Sequence, residues 1–161
     1  MKHQNLGRLL FLVAGLLVSS CATPNPIQPA LPPEVALNPG VSHVAPILIK
    51  VRLETGEMLT LYMDTGSPVT VLDKSLESKL GKRIGTKRIR YAWGGNARAG
   101  VYAPPALYWG DTRLKTGSTI LTDDISWLTQ LKADGIIGMD CLRHYCMQID
   151  FAGERIRFPG A

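Results

Sequence analysis

Charge, aromatic residues and cysteine are all sparse in this chain of 161 residues, at 19% charged, 7% aromatic and three Cys. The shortage of cysteine limits metal chemistry. Cys141, Cys146 and His144 offer three ligands where a structural zinc site wants four, and on a helix the two thiols point to different faces. A metal site at these residues is therefore not expected. The two thiols should be buried and apolar, with a disulfide as the alternative. No Gly-x-Ser-x-Gly elbow is present, which removes the usual serine-hydrolase arrangement. The apolar run from Leu9 to Val18 is too short to span a bilayer stably and has the length of a signal-peptide core. At 45% apolar residues the chain is nonetheless globular, long enough for one domain plus an appendage. Sixteen Gly and 11 Pro favour short strands and turns over long helices.

Lys2 and Arg8 precede the apolar run, small residues follow it, and VSSC at 18–21 resembles a bacterial lipobox. Residues 1–20 are expected to be a lipoprotein signal peptide and Cys21 the lipidated residue. That places the protein outside the cytoplasm, tethered to a membrane by lipid. In a diderm bacterium Ala22 points to the outer membrane. Loss of Lys2 and Arg8 takes the formal net charge of +5 down by two. Residues 22–46 hold seven of the 11 prolines. Residues 21–45 are thus expected to be the lipidated Cys and an extended tether of ~3.1 Å per residue, leaving 46–161 as the folded domain.

From Pro46 the pattern has period two. Ile47, Ile49, Val51 and Leu53 face one side, Lys50, Arg52 and Glu54 the other, and TGE turns the chain into MLTLYM as a hairpin. VTVL at 69–72 is a further strand. A short helix is expected from Lys74 to Leu80, capped by Asp73 and ended by Gly81. Residues 88–102 read as a hairpin tipped by Trp93-Gly94-Gly95-Asn96. ALYWG, GSTIL and DGIIG follow as strands, MDCLRHYC as a short helix, and MQIDF and RIRF as a closing hairpin. The fold class is all-β with one or two short helices.

One acidic residue sits inside this apolar pattern. Asp64 opens DTGSPVTVL at 64–72, and GIIGMDCL follows at 135–142. Together these motifs resemble the retropepsin-like aspartic proteases, over about residues 46 to 158. The first fits the retroviral Asp-Thr-Gly, three variable positions and Thr-Val-Leu without a gap. The second is similar to bacterial single-domain members. The resemblance implies a closed, barrel-like acid-protease domain and hydrolysis of peptide bonds by an activated water, with no metal or other cofactor. Two carboxylates would share one proton: the charged one draws a proton from water, the other polarises the scissile carbonyl. Only one Asp-Thr-Gly is present, and Asp134 and Asp140 lack the Thr-Gly context, so activity implies a homodimer that contributes Asp64 twice. Thr65 would brace the paired loops, Gly66 let the backbone approach substrate, and Ser67 hydrogen-bond the carboxylate. The hairpin with Trp93, Gly94 and Gly95 would be a flap that closes over a peptide or protein substrate. Trp93 packs either on bound peptide or as an edge aromatic. Ile136, Ile137 and Gly138 would form the strand crossing behind the loop, the isoleucines as core first and pocket second. Retroviral enzymes carry Asp and Arg at the positions of Pro68 and Met139, so dimer contacts and substrate clamping must lie elsewhere. The alternative function is a catalytically inactive lipoprotein of the same fold that binds peptides or proteins.

Ser78 to Gly110 hold seven basic residues and no acidic one. They form either a solvated face or a flap region that attracts acidic peptides or an anionic membrane surface. Nucleic acid is not an expected partner of an exported protein.

Overall fold

A computed structural model describes residues 31–41 and 45–159. The expected signal peptide, Cys21 and residues 22–30 of the expected tether lie outside them. The described chain runs through β1 (Glu34–Ala36), β2 (Leu48–Leu53), β3 (Met58–Met63) and β4 (Val71–Asp73). A 3-10 turn, Lys74–Lys79, leads to β5 (Gly85–Arg90), β6 (Asn96–Tyr102), β7 (Leu107–Trp109), β8 (Thr112–Arg113) and β9 (Ile120–Asp123). A second 3-10 turn, Ser126–Leu131, precedes β10 (Gly135–Ile137), α1 (Met139–Leu142), β11 (Gln148–Asp150) and β12 (Arg155–Arg157). The protein is mainly β, as the alternating pattern requires.

Nine strands form one sheet in the order β5-β6-β9-β4-β10-β3-β2-β7-β8, and β1-β12-β11 form a second. The expected closed barrel is not found among the described residues. The large sheet ends at β5 on one side and at the two-residue β8 on the other, with no pairing between them. In the hairpin β2–β3, Ile49 pairs with Leu61 and Val51 with Leu59, all buried, so one face of the ribbon is core. The short helix expected from Lys74 forms over Lys74–Lys79, wound as a 3-10 helix. Asp73 caps it by accepting from Ser75 N at 2.9 Å, and Leu76 and Leu80 are buried beneath it.

The fold begins earlier than the proline content suggested. Residues 31–41 are part of the domain rather than tether: β1 pairs antiparallel with β12, and Leu31, Leu37 and Val41 are buried in the main core. Proline permits this because β1 is an edge strand of three residues lying between Pro33 and Pro39. Leu37 N donates to the Glu154 carbonyl at 2.8 Å and Phe158 N to that of Pro33 at 3.0 Å, closing the pairing. Trp109 meets Phe158 edge-on at 5.1 Å and joins the small sheet to the large one. A second, smaller core of Val71, Ala99, Leu121, Ile125, Leu128 and Ile136 lies under the β5–β6 hairpin. No helix among the described residues is long and apolar enough to cross a membrane.

Candidate active site

The two motifs meet at β10. This strand lies between β3, to which it is parallel, and β4, to which it is antiparallel. β3 enters the Asp64 loop and β4 leaves it, so residues 64–70 pass over the end of the GIIG strand. Asp64 N donates to the Ile137 carbonyl at 3.1 Å, and Met139 N donates to the Ser67 carbonyl at 2.8 Å. The loop is thereby held at both ends by the segment that starts 71 positions further on in the chain, at Gly135. Gly138 permits this contact. A Cβ there would stand 2.5 Å from the Val69 carbonyl oxygen, closer than side-chain carbons come to other atoms.

Beneath the loop sits a buried polar pair that ties it to α1. Thr70 is fully buried; its hydroxyl donates to Asp140 Oδ1 at 2.8 Å and accepts from Gly138 N at 3.3 Å. Asp140 is 9% exposed, and its Oδ2 has no hydrogen-bond partner among the described residues. Asp140 is thus a structural brace, fixed in α1 behind the loop. In the same helix Cys141 is buried, which with the Asp140 charge pushes its thiol up to about 12 and leaves it inert. Cys146 is exposed, against the expectation of two buried thiols, and both are free.

Asp64 itself is half-buried and lines a cavity. Its Oδ1 accepts from Gly66 N at 2.8 Å, and no other hydrogen bond reaches its side chain among the described residues. Thr65 and Gly66 are exposed. The Ser67 hydroxyl does not bind the carboxylate as expected: it donates to the Val69 carbonyl at 2.7 Å and tightens the turn. Ile136 and Ile137 separate by strand alternation. Ile136 lines the cavity and Ile137 belongs to the main core.

The cavity, of about 450 Å³, opens between the Asp64 loop and the β5–β6 hairpin. The hairpin turn uses two left-handed glycines, Gly94 at φ 95° and Gly95 at φ 87°, which places Trp93 outside the sheet pattern. Trp93 is 64% exposed, stacked on Tyr91 at 4.8 Å and edge-on to Trp127 at 4.7 Å. It is an edge aromatic on the cavity wall. The Tyr91 hydroxyl donates to Asp123 Oδ2, and burial, then Asp123, push the phenol up to about 12. The hairpin is thus latched to β9 and to the second 3-10 turn. Lys87, Arg88 and Arg90 border the same cavity, exposed and without an ion pair among the described residues.

Sequence reasoning located the loop, the GIIG strand and the hairpin, and the structure brings them together. It missed Tyr91, Asp123 and Trp127, and it assigned Asp140 no role. The only advance signal for Asp140 was an acid in the otherwise apolar MDCL segment. Chemically, the arrangement offers one half-buried carboxylate lining an apolar recess with a cationic border. No family model matches the chain, and no curated protein matches it.

Proposed function

We propose that the protein is an aspartic peptidase of the retropepsin-like kind, active as a homodimer and held to a membrane by lipid on Cys21. The observation that carries this reading is the placement of Asp64 over β10 and under the β5–β6 hairpin. A carboxylate on a fixed loop, facing a recess wide enough for side chains, suits activation of a water beside a bound peptide. In the dimer the ionised Asp64 takes a proton from water as its oxygen bonds to the scissile carbon. The protonated partner copy of Asp64 donates to the carbonyl oxygen. Collapse of the tetrahedral adduct expels the amine, which leaves with a proton returned by the dyad. Exposure of Thr65 and Gly66 leaves that face of the loop open to a second copy. Latching of Trp93 over the cavity gives the hairpin the position of a flap that shields the reaction from bulk water.

The test is cleavage of a mixed peptide library by the full chain in detergent, from acid to neutral pH, at several protein concentrations. Cleavage should rise more than linearly with concentration and fall by roughly 10³-fold or more in Asp64→Asn. Cleavage that survives Asp64→Asn removes the assignment. Folded protein that binds peptides but never cleaves them is instead the non-catalytic binding lipoprotein.

A further inference from the structure

The border of the cavity carries more information than its floor. Four ion-pair contacts lie on the small sheet, where Arg155 and Arg157 meet Glu34 and Asp150. Lys79 meets Glu57 on the turn below the sheet. Lys87, Arg88 and Arg90 have no such partner among the described residues, although all three border the recess that holds Asp64. Strand register makes the imbalance sharper. Arg88 stands directly opposite Arg98 in the β5–β6 pairing, and like charges so placed repel. An anion laid along β5 relieves that repulsion.

β5 is also the free edge of the nine-stranded sheet, paired to β6 alone. From Lys87 in this strand through Trp93 beyond its end, the chain lines the cavity without a break. An extended chain added along such an edge gains backbone hydrogen bonds and meets the alternating side chains in turn. Arg88 and Arg90 share one face; Ile89, between them, faces the smaller core. We propose that the cavity takes an extended acidic peptide whose sequence alternates acid, apolar, acid, with Arg88 and Arg90 as specificity-determining residues. This rests on the reading that the recess holds a peptide, and it adds which peptide. A lipid surface matches the charge but not a recess of about 450 Å³ walled by Trp93 and Trp127.

The experiment measures binding separately from cleavage. A labelled peptide with Asp or Glu on both sides of an apolar residue, and its Asn/Gln isostere, are titrated by fluorescence anisotropy against the full Asp64→Asn chain in detergent. An exposed pair contributes up to about fivefold, so two pairs should favour the acidic peptide by roughly tenfold at low salt. Added salt should reduce the preference. Arg88→Ser with Arg90→Ser should bring it to about twofold or less, whereas Lys50→Ser, a charge removed elsewhere on the sheet, should leave it unchanged. Equal binding of the two peptides, or a preference that survives the double variant, overturns the inference. So does tight binding to phosphatidylglycerol vesicles through the same arginines with no peptide bound. Acidic preference without cleavage by the unmodified chain upholds the inference and sinks the peptidase reading instead.

Discussion

Gly138→Ala tests how the Asp64 loop is seated. Gly138 has φ −103° and ψ −175°, extended backbone that any residue adopts, so the substitution probes packing alone. The new Cβ would lie 2.5 Å from the Val69 carbonyl oxygen, 2.6 Å from the Val69 carbonyl carbon and 2.8 Å from the Ser67 oxygen. All three are backbone atoms of the segment that carries Asp64, so no side chain can swing aside. Either the loop rises or α1 retreats, and both motions pull Met139 N away from the Ser67 oxygen it holds at 2.8 Å. Overpacking at ~1–3 kcal/mol and one lost hydrogen bond at ~1 kcal/mol give an expected loss of ~2–4 kcal/mol. Urea denaturation should show a lower midpoint with an unchanged slope. Gly66→Ala is the contrast: its Cβ would meet only Asp64 Oδ1, at 3.1 Å, on an exposed turn. Stability should then change by less than ~1 kcal/mol, while under the proposed peptidase activity cleavage falls. A Gly138→Ala protein within ~0.5 kcal/mol of the parent would refute the seating of the loop on this residue.

Leu37→Ala separates a tether from a core, since Leu37 is 8% exposed and packed in the main cluster. Chemical denaturation should report a loss of ~2–4 kcal/mol, against ~0.5 kcal/mol or less for a residue of a solvated linker. Tyr91 makes the latch pH-dependent. Its folded pKa is raised, first by burial and then by Asp123, so its stabilising contribution is complete below the ordinary value of 10.0 and is lost as pH rises towards about 12. Tryptophan fluorescence should change over that window in the parent and stay flat in Tyr91→Phe.

The strands were legible wherever one face is core and the other is solvent. β2 and β3 alternate cleanly because Ile49, Val51, Leu59 and Leu61 all pack on one side. β1 was not legible, because three residues among prolines carry no periodicity. Its strand exists only through β12, 121 positions away at the Glu34–Arg155 ion pair. Barrel closure was unreadable for a related reason: it depends on the ends of the sheet meeting, and no local pattern reports on that. The 3-10 turn at Lys74–Lys79 kept the expected cap and buried leucines while its helix type went unforeseen, since both windings bury Leu76 and differ only in how tightly the chain turns.

At the site, legibility followed sequence distance. Asp64, Gly66 and the glycines of the hairpin announce themselves by composition, because turns and close approach need glycine locally. The residues that give the site its shape are instead paired across the chain. Tyr91 reaches Asp123 over 32 positions and Thr70 reaches Asp140 over 70, and neither pair has a motif. Asp140 shows why an acid in an apolar run has two meanings. Removed from water, it must be hydrogen-bonded, and Thr70 supplies one bond while Oδ2 has none among the described residues. Asp64 has the opposite setting, half-buried at a cavity, with only the Gly66 amide on its side chain among the described residues. Two carboxylates that look alike in sequence thus divide into a brace and an accessible group. If Asp64 were a second brace, its replacement by Asn would lower stability as it lowers activity. An accessible reacting group predicts that activity falls and the urea midpoint stays.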